Sequence, residues 1–110
     1  MDEVERLLRQ LALNDEELVG RVLIGEAEPS PASTLDRKVD VLVRLGALLA
    51  LGASTASLRS TVERAMQAGA NESEIAEVLV AIGPAAGLAR VVAEAPRLAT
   101  ALGYEIDADE

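Results

Sequence analysis

Residues 65–79 read AMQAGANESEIAEVL, and this stretch decides how the chain folds. Gly69 stands where helices commonly end, because glycine adopts the left-handed backbone conformation without strain. Asn71 and Glu74 then have the spacing of a capping box, in which each side chain accepts a hydrogen bond from the other residue's backbone N–H. The apolar residues that follow recur at helical spacing. The stretch therefore predicts a helix end, a tight turn and a new helix.

Helical periodicity extends from this turn over most of the 110 residues, and no stretch alternates as a strand would. Start and stop signals predict two short helices within residues 1–28, starting at Asp2 and Asn14, the second ending at Gly25. Further helices are predicted at about Leu35–Leu51, after a start signal at Ser33 and Asp36, and at about Ser54–Ala68. A helix that starts at Asn71 is followed by a break or kink at Gly83–Pro84 and Gly87, and the last helix, about Leu88–Leu102, has a kink at Pro96. We predict an all-α fold, a compact bundle of five to six helices. Residues 35–51 and 54–68 form its central antiparallel hairpin.

The composition is that of a small acidic domain. The 110 residues suffice for one domain, residues 1–110, and half of them are hydrophobic, which excludes a disordered acidic chain. Asp and Glu number 19 against 10 Lys and Arg, for a formal charge of −9. A protein that binds the nucleic-acid backbone or an anionic membrane needs clustered cations, so we expect neither partner.

The chain contains no cysteine and no histidine. Disulfides, thiol redox chemistry, thiolate or imidazole metal sites and histidine-based triads are therefore excluded, and we expect no cofactor and no metal. Carboxylates remain as possible acid–base groups, with Glu72, Glu74 and Glu77 as the densest set after the N-terminus. Their position in the first turns of a helix favours a solvated face that the helix dipole stabilises.

The sequence also predicts where the protein resides. Residues 1–5 are acidic and lack the basic start and apolar run of a signal peptide. The longest uncharged stretch, residues 45–58, has 14 residues, whereas a membrane-spanning helix needs about 20. We therefore expect a cytoplasmic protein. Residues 104–110 form an acidic tail.

Arg44 is a charged residue within the most apolar helix, and Asp40, four residues earlier, is the nearest candidate partner. The favoured interpretation is an arginine that reaches the surface while its stem packs on the helix. A subunit-interface ion pair and a clamp for a ligand anion are the alternatives. Arg59, Arg64 and Arg90 are interpreted as ordinary surface residues.

Several segments together carry a resemblance to one family: LDRK at 35–38, LLALG at 48–52, AMQAGA at 65–70, NESEIAEVL at 71–79, and Gly87 near the start of the next helix. They resemble the carboxymuconolactone decarboxylase and alkylhydroperoxidase D family over about residues 35–98. The resemblance implies that family's helical fold and its assembly into trimers, or into hexamers built from smaller units.

The chain departs from the family at its reactive positions. Redox members carry Cys-x-x-Cys-x-x-x-His, and those positions fall on Ser54, Ser57 and Thr61, while the relay glutamate falls on Val41. A serine hydroxyl forms no disulfide and is a far weaker nucleophile than a thiolate. Peroxide reduction by the family mechanism is therefore excluded. The decarboxylase branch also lacks the two cysteines but usually keeps the histidine. For Ser54 and Ser57, helix capping is the favoured interpretation.

These observations predict a divergent family member without thiol peroxidase chemistry, a non-redox homo-oligomer with a binding or structural role. A non-redox enzyme of the lactone decarboxylase or isomerase type, working with arginine and carboxylates, is one alternative. An acidic helical module that binds a basic protein is the other. No catalytic residue is assigned, and the sequence does not name a small-molecule ligand.

Overall fold

The computed structural model describes residues 2–24 and 35–105, and these ranges contain helices and turns without a strand. The helices are α1 (Glu3–Ala12), α2 (Glu16–Ile24), α3 (Arg37–Leu51), α4 (Thr55–Gln67), α5 (Glu72–Ala86) and α6 (Leu88–Ala101). The predicted all-α fold with six helices is confirmed. None of these helices has the length and apolar character needed to cross a bilayer.

Helices α3 to α6 form the body of the protein. Helix α3 packs on α4, α5 and α6 at once, and α5 also packs on α6. Three residues join α3 to α4, which makes these two helices the central antiparallel hairpin predicted from the sequence. The core side chains come from all four helices and the α4–α5 turn: Val41, Leu45, Leu49, Leu58, Val62, Ala65, Ala70, Ile75, Leu79 and Leu98.

Helices α1 and α2 pack on each other and stand apart from this body. Among the described residues, no Cα atom of either helix lies within 8 Å of a Cα atom of α3 to α6. Leu18 of α2 is buried, but α1 has no buried residue. The N-terminal helices therefore do not contribute to the main core.

Most predicted helix ends are confirmed. The Oδ1 of Asn71 accepts the Glu74 N–H at 2.8 Å, and a Glu74 carboxylate oxygen accepts the Asn71 N–H at 3.0 Å, which completes the capping box. Gly69 follows α4 with φ at 101°, in the left-handed region. Asp2 caps α1, since its Oδ1 accepts the Glu5 N–H at 2.7 Å.

Two predicted helix starts were wrong by one or more residues. Asp15, not Asn14, caps α2 by accepting the Leu18 N–H, and Asn14 itself is a left-handed residue with φ at 59°. Asparagine tolerates that conformation, so it belongs to the turn rather than to the cap. For α3 the cap is Asp36, and helix residues begin at Arg37 rather than at residue 35. The predicted signals at Ser33 and Gly25 lie outside the described residues.

Of the two places where a break or kink is predicted, Gly87 interrupts the helix, whereas Gly83–Pro84 does not break it. Helix α5 continues through Pro84 to Ala86 and ends at Gly87, where φ is 93°. Proline removes one helical hydrogen bond, but α5 packs on both α3 and α6, and that tertiary contact holds the helix together. Helix α6 likewise includes Pro96. The predicted tail begins with Tyr104, whose hydroxyl donates to Glu72 at 3.1 Å, and residues 106–110 lie outside the described residues.

A salt bridge joins the first turn of α3 to that of α5. The Lys38 ammonium lies 2.6 Å from a Glu74 carboxylate oxygen. Hydrogen bonds from Lys38 and from the Asn71 N–H lower the pKa of Glu74. Because the pKa of Glu74 is lower in the folded protein than in the unfolded chain, ionised Glu74 stabilises the fold. This stabilisation is fully present above the ordinary glutamate pKa and is lost as the pH falls through the lowered pKa.

A buried ionic cluster joins α6 to the α3–α4 turn. Glu94 is only 2% exposed, and Arg97 donates two hydrogen bonds to its carboxylate, at 2.7 and 2.8 Å. The same guanidinium also donates to the carbonyl oxygen of Ala53. This cluster fixes the turn immediately before Ser54, so it positions the start of α4.

We predict that Arg97→Met destabilises the protein, because it leaves the Glu94 carboxylate buried without its cation. The free energy of unfolding should fall by about 3 kcal/mol, toward the lower end of values for a broken buried pair since Arg97 is partly exposed. Chemical denaturation at one fixed protein concentration measures the change. The control is Arg59→Met on the exposed face of α4, for which a change within about 0.5 kcal/mol is expected. Equal effects of the two substitutions would contradict the role assigned to the cluster.

Candidate functional site

The start of α4 places the three motif positions on adjacent turns. Ser54 is the N-cap residue, and its Oγ accepts the Ser57 N–H at 3.2 Å. The Ser54 hydroxyl also donates to the Ser57 hydroxyl oxygen, with 3.0 Å between the two oxygens. Thr61 follows one turn later and is buried. The structure thus brings the two serines into contact and places Thr61 behind Ser57 on the same helix.

Two of these positions line a pocket of about 520 Å³ between α3 and α4. We call it the α3–α4 pocket, and its lining residues are Arg44, Ala47, Leu48, Ala56, Ser57, Ser60, Thr61 and Arg64. Ser54 is not among them, so its hydroxyl serves the helix cap and the contact with Ser57. The pocket combines an apolar wall from α3 with a row of hydroxyls from α4.

Two charged side chains line the α3–α4 pocket, and both are arginines, Arg44 and Arg64. Arg44 is held by the ion pair predicted from the sequence, with its Nε 2.6 Å from Asp40 Oδ1. Arg64 donates a long hydrogen bond of 3.4 Å to the Ser60 hydroxyl. No carboxylate is among the lining residues. Guanidinium and hydroxyl groups are hydrogen-bond donors suited to a carboxylate or another oxyanion.

Sequence reasoning missed the role of Arg64, which was interpreted as a surface residue. The available signal was its spacing: Ser57, Ser60, Thr61 and Arg64 recur at intervals of three and four residues, so they share one face of α4. That Arg44 of α3 reaches the same pocket could not be deduced from spacing, because it depends on how α3 packs against α4.

The pocket lacks a group for proton transfer at neutral pH. The resemblance places the family's histidine at Thr61, and a threonine hydroxyl does not titrate near neutral pH. It places the relay glutamate within one residue of Val41, and Val41 is buried in the apolar core. The lining contains hydroxyls and arginines, and a guanidinium stays protonated in proteins. Across residues 2–24 and 35–105, moreover, no cluster of three acidic side chains is arranged to hold a metal ion.

A second concave surface lies on the other side of α3. We call it the α3–α5 groove, and it encloses about 750 Å³. Its lining is wholly apolar: Val39, Leu42, Val43, Gly46, Ala47, Ala50, Val78, Ala81, Ile82, Ala85 and Ala86. Gly46 allows the two helices to approach closely, since a Cβ atom there would lie 3.3 Å from Ile82 Cγ2. Because every one of these lining side chains is apolar, the groove is suited to another apolar surface.

The family comparison agrees with this architecture. The model of the carboxymuconolactone decarboxylase family matches residues 21–101, which include α3 to α6 and the whole α3–α4 pocket. The chain belongs to this family. Comparisons with curated proteins and with solved structures found no significant match. Helix α1 lies outside the matched residues.

We predict that Ser54→Cys with Ser57→Cys forms an intramolecular disulfide under mild oxidation. The serine oxygens are already 3.0 Å apart, so two sulfurs at these positions can bond with little backbone movement. Adding Thr61→His should lower the pKa of one thiol, since the imidazolium lies one turn beyond the second sulfur. Mass spectrometry detects the loss of two hydrogens, and thiol titration measures the pKa.

The control pair is Ser57→Cys with Ser60→Cys, which has the same separation but lies within α4, beyond the cap. It should oxidise more slowly, because both positions are held in helical geometry. Free thiols alone, or only intermolecular links, in the Ser54 and Ser57 variant would contradict the alignment of these positions with the family motif.

Proposed function

We propose that the protein is a non-redox member of the family that binds a small organic anion in the α3–α4 pocket and works as a homo-oligomer. The observation that carries the proposal is the convergence of Arg44 and Arg64 on a hydroxyl-lined pocket at the positions of the family's reactive motif. Hydroxyls at those positions do not support thiol chemistry. They are well suited to hydrogen bonding with a carboxylate.

The local charge of the pocket opposes the charge of the whole chain. The chain carries −9, yet the charged side chains that line the pocket are both cations. The ion pair with Asp40 lies within α3 and fixes the direction of the Arg44 side chain. A guanidinium presents several N–H donors in a planar fork, so an oriented Arg44 can recognise a carboxylate by geometry as well as charge. The apolar wall formed by Ala47 and Leu48 fits the hydrocarbon part of such a ligand.

The enzyme alternative has less support. A lactone decarboxylase or isomerase needs a group that gives or takes a proton during the reaction. The pocket supplies two arginines but no carboxylate, histidine or lysine. A catalytic acid or base would have to come from another copy of the chain. The alternative of an acidic module for a basic partner rests on net charge, and the concave surface on α1 that includes Asp2 and Glu5 also contains the cation Arg9.

We predict that adipate, a six-carbon dicarboxylate, binds to the α3–α4 pocket and that 1,6-hexanediol, its uncharged analogue, does not. Arg44→Gln and Arg64→Gln should each weaken adipate binding at least tenfold, because a hydrogen bond to a charged group contributes about 1.5–3 kcal/mol. Calorimetry or chemical-shift titration measures the affinity. Arg59→Gln, also on α4 but outside the pocket, is the control and should leave binding unchanged. Equal binding of the diol, or insensitivity to both pocket substitutions, would refute an anion site.

We also predict self-association. Large apolar side chains are exposed on α1, α3 and α6, and a contiguous exposed apolar patch is unusual on a soluble monomer. Light scattering at micromolar concentration should give a mass that is a multiple of 11.5 kDa, with a trimer or hexamer as the resemblance implies. Raising the salt concentration should tighten the assembly, because it screens the repulsion between chains of charge −9. A mass near 11.5 kDa at both low and high salt would refute self-association.

A further inference from the structure

Helix α1 has an apolar face that no other described helix covers. Val4, Leu7, Leu8 and Leu11 recur at i, i+3, i+4 and i+7, and each is more than 40% exposed. The helix has ten residues, and a helix of that length is marginal in water without tertiary packing. Its contact with α2 leaves this face open, and α3 to α6 do not approach it.

The α3–α5 groove is the matching unoccupied surface. It runs along α3 from Val39 to Ala50, a rise of about 16 Å, while the ten residues of α1 span about 15 Å. Val39 and Val43 are substantially exposed along its edge. An amphipathic helix that places its apolar face in an apolar groove is a recurrent mode of protein recognition.

We propose that α1 of one copy lies in the α3–α5 groove of a second copy. This inference rests on the proposed self-association and specifies the two surfaces that produce it. Each copy supplies one helix and one groove, so an exchange between two copies, or around a closed ring, covers both surfaces in every copy. The groove lies within the family-matched residues, whereas α1 lies outside them.

The charges of the two surfaces favour this occupant. The groove lining contains no charged residue. Helix α1 carries Glu3 and Glu5 against Arg6 and Arg9, so its net charge is zero although the whole chain has −9. Docking of α1 therefore adds little repulsion between acidic chains. Its charged side chains, including the Arg9–Glu5 pair at 3.2 Å, lie off the apolar face and would remain at the rim.

The position of α1 in its own chain favours a second copy over folding back. Within the described residues, α1 stands clear of its own groove, and its exposed face is available to another molecule.

Engineered cysteines test the contact, and the chain has no cysteine of its own to interfere. A tagged chain with Leu8→Cys is mixed with an untagged chain with Val43→Cys and oxidised mildly. We expect a disulfide-linked heterodimer on a non-reducing gel, identified by its mass. Arg6→Cys, on the opposite face of α1, replaces Leu8→Cys as the control and should give at least tenfold less heterodimer.

A second experiment disrupts the proposed contact by substitution and measures the mass of the assembly. Leu8→Asp should reduce the light-scattering mass to 11.5 kDa, whereas Gln10→Asp, with the same change of charge off the apolar face, should not. Circular dichroism checks that both variants keep their helices. The body should remain folded, because α1 makes no contact with its core.

The outcomes separate this inference from the proposal on which it rests. A wild-type monomer would overturn self-association and the exchange together. An oligomer that forms no mixed disulfide and is unaffected by Leu8→Asp would overturn the exchange alone. A chain carrying both Leu8→Cys and Val43→Cys that closes only an internal disulfide would show that α1 occupies its own groove, which also overturns the exchange.

Discussion

The packing of α3 against α4, α5 and α6 is the constraint on which the rest of the structure depends. Leu45 and Leu49 are completely buried at this junction, and no aromatic side chain contributes to the described core. Small aliphatic side chains bring the helices close together but fill little volume. The remaining faces of α3 therefore border two concave surfaces, the α3–α4 pocket on one side and the α3–α5 groove on the other.

These two surfaces differ in chemistry because they draw on different faces of one helix. Toward α4, the α3 helix presents Arg44 beside Ala47 and Leu48, opposite a row of hydroxyls. Toward α5 it presents only aliphatic side chains and Gly46. The first combination can orient a charged ligand, whereas the second can only exclude water. The proposed ligand site and the proposed contact between copies therefore lie on opposite sides of α3.

The start of α4 holds two serine hydroxyls in direct contact. The hydroxyls of Ser54 and Ser57 touch at 3.0 Å, the arrangement expected for two residues one turn apart at a helix start. Arg97 and the buried Glu94 hold the preceding turn in place from α6. The start of α4 therefore positions two hydroxyl groups, which donate and accept hydrogen bonds but do not support thiol redox chemistry.

The sequence by itself determined the features that depend on neighbouring residues. The capping box at Asn71 and Glu74, the cap at Ser54, the left-handed Gly69 and the Arg44–Asp40 pair all involve residues within four positions of each other. The absence of cysteine and histidine also fixed which chemistry the site lacks. Only the tertiary structure decided that α5 continues through Pro84, that Arg64 and Arg44 share a pocket, and that Arg97 bonds to a turn 44 residues away. The physical reason is that helix periodicity specifies which face of each helix is apolar, but not which helix that face meets, and contacts between distant segments arise only when the helices pack.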